Sequence, residues 1–243
     1  MSAVDLRANA KLTLTLRVTG TRADGYHLID AEMVTLELHD VLTISAGDAL
    51  TATGPFAAGM PTDDTNLVRK ALRLAGRSAA VRIDKQIPHG GGLGGGSADA
   101  AAVLRWAGFD DLVAASRLGA DIPFCMIGGQ ARVRGIGEIV DPLPLVDDVF
   151  TLVIPPFGCS TPSVYRAWDE LGGPHGPSGN DLEPAALAVE PRLADWRARI
   201  IEATGVVPVL AGSGATWFLR GGHADAAPAM PDATVVVTRT DRP

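Results

Sequence analysis

The chain has 243 residues, of which 47% are hydrophobic and 20% charged, and it carries a formal net charge of -7. That length and apolar content suffice for one large domain or two modest ones around a real core, which excludes a disordered polar chain. The acidic balance excludes a basic surface that tracks nucleic acid, so an anionic ligand must meet a positive field built locally, from lysines at Lys11, Lys70 and Lys85 and from arginines.

The predicted elements begin with a strand over Lys11 to Val18, where Leu12, Leu14, Leu16 and Val18 alternate with Lys11, Thr13, Thr15 and Arg17. The turn GTRADGYH leads to strands over Met33 to Leu38 and Val41 to Ile44, an antiparallel opening sheet. Asp64 or Thr65 caps a helix reaching about Ala75. Ala80 to Asp84 is a short strand feeding a glycine loop, and an alanine-rich helix starts near Ser97. A helix over Asp111 to Leu118 precedes the sharp segment GADIP, and strands over Gln130 to Arg134 and Glu138 to Val140 flank a turn.

The segment DPLPLVDD marks a domain boundary, dividing the chain into 1–147 and 148–243. Beyond it come strands at Val149 to Ile154, Val206 to Leu210, Thr216 to Leu219 and Thr234 to Thr238. Helices fall at Ser163 to Leu171, Pro191 to Thr204 and near Ala224. Interleaved strands and helices in a unit of this size imply an α+β sandwich with one sheet face covered by helices.

Gly90 to Ala102, GGGLGGGSADAAA, carries the strongest chemical signal. Residues without Cβ let successive backbone N–H groups turn toward one anion, and a helix start behind them adds partial positive charge. A triphosphate suits that arrangement. Gly96 rather than lysine precedes Ser97, which argues against a Walker P-loop, and GxGxxG spacing is nearly automatic in so glycine-rich a run. Cys125 and Cys159 lack CxxC spacing and clustered histidines, so they are expected to be reduced and buried. No basic start with an apolar run and no stretch of about eighteen apolar residues occurs, so the expected location is the cytoplasm, without a membrane partner.

Seven segments, AKLTLTLRVTGTRADGYH, DDTNLV, IPHGGGLGGGSADAAA, LGADIPF, GIGE, GNDLEP and AGSGATWF, span nearly the whole chain. Together they resemble the galactokinase, homoserine, mevalonate and phosphomevalonate (GHMP) kinase superfamily. ADGYH and GADIPF resemble its 4-diphosphocytidyl-2-C-methyl-D-erythritol kinase branch in particular. The resemblance implies an α+β, two-domain GHMP kinase fold: an N-terminal ribosomal protein S5 domain 2-like β/α domain, and a smaller, shortened, ferredoxin-like C-terminal α/β sandwich.

It also implies ATP-dependent phosphorylation of the 2-hydroxyl of the cytidine-linked methylerythritol. Asp121 is then the catalytic base and Lys11 its electrostatic partner. ATP would meet Pro88, His89, Gly90, Gly91, Gly92, Leu93, Gly94, Gly95, Gly96, Ser97, Ala98, Asn66 and Lys85. Asn66 serves equally as a helix cap, and Ser97 holds phosphate or Mg²⁺ or only caps its helix.

For the substrate, Tyr26 and Tyr165, the only two tyrosines, would sandwich the cytosine. His27 would bond its edge, with Thr161, Asp24 and Thr13 nearby and Gly212, Ser213 and Gly214 against the phosphates. Thr13 stands where the family carries asparagine and Asn9 where it carries proline. The stretch between Ala102 and Leu118 and the C-terminal part are shorter than usual. A sibling homoserine- or mevalonate-type kinase, or a nucleotide-binding homologue without catalysis, therefore remains an alternative. The expected partners are ATP, Mg²⁺ and a small cytidine diphosphate conjugate, in a monomer or weak homodimer, with no nucleic acid.

Overall fold

The computed structural model describes residues 3–242. Its first two strands, β1 (Val4–Thr21) and β2 (His27–Ser45), form a long antiparallel hairpin in which Val4 lies opposite Ile44 and Thr21 opposite His27. The expected pair of strands over Met33 to Leu38 and Val41 to Ile44 is thus one continuous β2. The polar His39 and Asp40 between them do not break it, because Asp40 is fully buried and its carboxylate is engaged by partners outside the strand.

The register of β1 shifts between Asn9 and Lys11 and again between Thr13 and Thr15. Such bulges re-aim side chains, and the core shows the result. Ala8, Leu16 and Val18 join one apolar cluster, whereas Ala10, Leu12 and Leu14, in the stretch bounded by the two shifts, join another with Phe150, Leu152 and Phe218. Lys11 and Thr13, alternating with Leu12, face away from that second cluster, toward the glycine loop.

Around β2 the six-stranded sheet is completed by β3 (Leu50–Thr53), β4 (Ala80–Asp84), β5 (Gln130–Gly135) and β6 (Ile139–Leu143). Strand β4 flanks the C-terminal end of β2 and β5 its N-terminal half. Pro142 is accommodated in β6 because that strand pairs only with β5 and needs no N–H on its outer edge.

Helices α1 (Leu67–Leu74), α2 (Gly95–Trp106), α3 (Leu112–Ser116) and α4 (Ile122–Ile127) follow in chain order. In α2, Ala98, Ala100, Ala101, Ala102, Val103 and Leu104 are all at most 1% exposed, so this is a central helix, packed on β1, α1 and α4. Small alanines permit that close approach on several sides. Helix α4 was not expected, since Pro123 in GADIP reads as a turn. Proline at the first helical positions lacks only an N–H that the helix leaves unpaired anyway.

A second, antiparallel sheet has the order β10 (Thr234–Arg239), β7 (Val149–Ile154), β9 (Trp217–Arg220), β8 (Val209–Leu210). It is accompanied by α5 (Thr161–Glu170), α6 (Glu183–Val189), α7 (Arg192–Thr204) and α8 (Ala226–Ala229). The two sheets are stitched together. Leu36 bridges Thr240, Leu16 bridges Asn180, and the second apolar cluster draws residues from β1, β2, β7 and β9 alike. The α+β sandwich expected from the interleaved pattern is present.

Candidate active site

The chain between β4 and α2 turns sharply over its glycines. Gly92 and Gly94 hold φ of +77° and +70°, and a Cβ would fall 2.4 Å from the Ala211 carbonyl oxygen at the first and 2.8 Å from Lys11 Cγ at the second. Only glycine tolerates both the dihedral and the approach. The loop is pinned from two directions, by Lys11 N–H donating to Leu93 O at 3.0 Å and Thr216 N–H donating to Gly91 O at 3.3 Å.

From the other side comes the turn Ala211 to Gly214, where a Cβ on Gly214 would clash with Gly92 N at 2.3 Å. The two glycine motifs are therefore back to back. A groove of about 210 Å³ runs along Pro88, His89, Gly90 to Gly96 and Ser97. At its end the first N–H groups of α2 have no carbonyl within the helix to bond, which favours an anion there.

A larger cavity of about 610 Å³ shares Gly92 with this groove. On its wall Lys11 Nζ donates to Thr13 Oγ1 at 3.0 Å and lies 3.5 Å from Asp121 Oδ2. The Lys11 side chain is 6% exposed and that of Asp121 31%. Asp121 opens α4 without capping it by a side-chain hydrogen bond, which leaves the carboxylate free to serve the cavity. Behind it the GIGE turn closes in: a Cβ on Gly137 would fall 2.1 Å from Ala120 O. A carboxylate beside a nearly buried ammonium, next to an anion groove, can take a proton from an alcohol while negative charge moves past.

Thr161 and Ser213 join their hydroxyls at 2.8 Å, tying the start of α5 to the second glycine turn, and Gly212 sits beneath Lys11 and Thr13. Tyr26, His27 and Tyr165 line the same cavity. Tyr165 stacks on His27, with ring centroids 4.7 Å apart at 27°, rather than on Tyr26, which is 59% exposed. Burial, with the Asp121 charge adding to it, pushes the Tyr165 phenol above its usual range.

Four expected contacts take other places. The Lys85 ammonium is sealed under Gly95 between Asp40 and Asp99, and is 1% exposed. Burial works against its charge, but the two carboxylates outweigh that and hold its pKa above the ordinary value. Asn66 uses its side-chain oxygen to cap α1 at Val68 N, 2.8 Å, and its amide to bond Pro61 O at 2.7 Å, so capping claims it. Ala98 is 1% exposed and turns into the core. Asp24 accepts from Arg22 at 2.7 Å and shapes its own turn, facing a cleft with Arg117 and Glu138 that adjoins the larger cavity across Tyr26 and Ile136.

Residues 66–129 match the GHMP kinases N terminal domain family. A 4-diphosphocytidyl-2-C-methyl-D-erythritol kinase of Paracoccus denitrificans (strain Pd 1222) is 43% identical, over 87% of this chain and 84% of that one. The chain belongs to the 4-diphosphocytidyl-2-C-methyl-D-erythritol kinase family. The crystal structure of a 4-(cytidine 5'-diphospho)-2C-methyl-D-erythritol kinase superposes with a TM-score of 0.76 at 30% identity, covering 98% of this chain and all of that one. A homoserine kinase from Cytophaga hutchinsonii, 17% identical, superposes at 0.62 over 99% of this chain and 95% of its own, a likeness of fold alone. The chain is accordingly an ATP-dependent small-molecule kinase with the two-domain GHMP fold, and among the described residues no helix is long and apolar enough to cross a membrane.

In this kinase Thr13 holds Lys11 through its hydroxyl. Four residues around the site escaped the sequence reading. Arg166 and Asp169 line the larger cavity, and the i, i+4 spacing of Asp169 from Tyr165 on α5 was a usable signal. Asp40 and Asp99 were visible only as acidic residues inside apolar runs.

Proposed function

We propose that this chain transfers the γ-phosphoryl of ATP to the 2-hydroxyl of 4-diphosphocytidyl-2-C-methyl-D-erythritol, a step of non-mevalonate isoprenoid precursor synthesis. The observation that carries the reading is the Lys11 and Asp121 pair, placed where the glycine groove and the larger cavity share Gly92. ATP phosphates lie along Gly90 to Ser97 at the mouth of α2. The cytidine end occupies the larger cavity among Tyr26, His27 and Tyr165, and Thr161, Ser213 and Gly212 face its phosphates.

In the reaction, Asp121 accepts the proton of the hydroxyl as its oxygen bonds to the γ-phosphorus and the bond to the β-phosphate oxygen breaks, releasing ADP. Lys11, held by Thr13, faces the charge that gathers on the transferred group. Positioning and charge stabilisation supply most of the acceleration in this class of chemistry. Among the described residues no three His, Cys, Asp or Glu side chains cluster as a metal cage. A magnesium ion fits here as a partner of the phosphates and of the Ser97 hydroxyl, since this small cation keeps water and phosphate ligands. Bound there, with the Ser97 hydroxyl among its ligands, it would offset the negative charge of the phosphates.

The division at 147/148 belongs to the same proposal, with the nucleotide on the first part and the wall carrying Tyr165 on the second. The test is turnover of ATP with the cytidine-linked methylerythritol, homoserine and mevalonate side by side. Turnover of the first alone is expected. Turnover of another alcohol instead, or ATP binding without turnover of any, contradicts the reading.

A further inference from the structure

His27 is held unusually tightly for a residue at the first position of a strand. Its ring stacks on Tyr165 and meets Trp168 edge-on at 5.7 Å and 89°. Its Nε2 lies 2.8 Å from Asp169 Oδ1, and its side chain is only 11% exposed. The remaining ring nitrogen, Nδ1, makes no hydrogen bond among the described residues, although His27, Tyr165 and Asp169 all line the larger cavity. Asp169 belongs to α5, one turn beyond Tyr165, so one helix supplies both the ring under His27 and the carboxylate beside it.

An ionised carboxylate only accepts hydrogen bonds, so the proton of a neutral His27 sits on Nε2 and Nδ1 keeps its lone pair. The opposite tautomer would point two lone pairs at each other across 2.8 Å. Resting on the functional reading above, we propose that Asp169 is a positioning residue that fixes this tautomer, so that His27 accepts from an amino-bearing pyrimidine edge and rejects an oxo-bearing one. Asp169 thereby makes the cavity choose cytosine over uracil. A site built to accept from a ligand N–H disfavours the analogue without it, because the lone pairs of site and ligand then oppose each other.

The test compares the cytidine-linked methylerythritol with its uridine-linked counterpart at pH 8, above the ordinary titration range of imidazole. For Asp169→Ala, kcat with the cytidine conjugate stays within about twofold, because no reacting atom is touched, while KM rises about tenfold. The cytidine-to-uridine ratio of kcat/KM falls by about tenfold or more, and Asp169→Glu restores part of it. Asp169 is half exposed, so folding is not at stake in these variants. Nitrogen-15 shifts of His27, assigned by their loss in His27→Gln, show Nδ1 unprotonated in the parent and a tautomer mixture in Asp169→Ala.

An unchanged cytidine-to-uridine ratio in Asp169→Ala, or a protonated Nδ1 in the parent at pH 8, overturns the inference. If the parent turns over neither conjugate, the functional reading fails and takes the base selectivity with it. The nitrogen shifts judge the tautomer apart from that.

Discussion

Lys11 Nζ lies 3.5 Å from Asp121 Oδ2 and 3.0 Å from Thr13 Oγ1, which joins the first strand to the start of the fourth helix across the floor of the larger cavity. Two register shifts of the β1–β2 hairpin, with extra residues on β2 between Asn9 and Lys11 and an extra residue on β1 between Thr13 and Thr15, lie on either side of Lys11 and Thr13. The glycine loop then closes over the lysine stem, with no room for a Cβ on Gly94.

Gly92→Ala tests the contact between the two glycine turns. The new methyl must fit a backbone at φ +77°, 2.4 Å from Ala211 O, where neither side can yield cheaply. A loss of about 1–3 kcal/mol in stability is expected, and ATP affinity falls at least tenfold because the N–H groups of the loop are displaced. Chemical denaturation and nucleotide titration of the variant check both effects.

Tyr26→Ala separates the two ligands. Tyr26 is exposed and its removal leaves the core intact, whereas a base stacked on it loses about 1–3 kcal/mol. KM for the cytidine substrate rises about tenfold or more and KM for ATP stays within about twofold. Equal losses for both ligands contradict a base site at this wall.

Asp99→Asn reports on the buried charges beneath the loop. Burial, reinforced by Asp40, outweighs Lys85 and pushes the Asp99 carboxyl up from its ordinary 3.8 to about 7. Between those values the unfolded chain has released this proton and the native protein still holds it, so the native state binds more protons and stability falls as pH rises through the window. The contribution is fully present below about pH 4 and lost above about pH 7. Asparagine cannot titrate, so the variant loses less stability than the parent between pH 5 and pH 8. Urea midpoints across that range give the comparison, and parallel curves would count against it.

Much of this arrangement was legible in the residue order. KLTLTLRV announces β1, the change from glycine to alanine at Ser97 announces a loop opening a helix, and LGADIPF with AKL marks the two residues that meet at Lys11 and Asp121. Lys85 was misread because its position beside the loop suggests a phosphate contact. Its true partners, Asp40 and Asp99, are 45 and 14 residues away, and only the packing of β2 and α2 brings them together. Helices α4 and α6 were missed because Pro123 and Pro184 look like breakers until they are seen at helix starts. The register shifts of the β1–β2 hairpin leave no trace in the hydrophobic alternation of β1, which runs unbroken across them. The stack of His27 on Tyr165 required β2 and α5 to meet, a relationship with no local signal.

The most direct measurement is single-turnover phosphoryl transfer by Asp121→Asn, with ATP affinity measured on the same preparation. Asparagine keeps the size of the side chain and cannot take the proton of the hydroxyl. A fall of about a thousandfold in the transfer rate is predicted, with ATP affinity within about twofold of the parent. A transfer rate equal to that of the parent would contradict the assignment of Asp121 as the base.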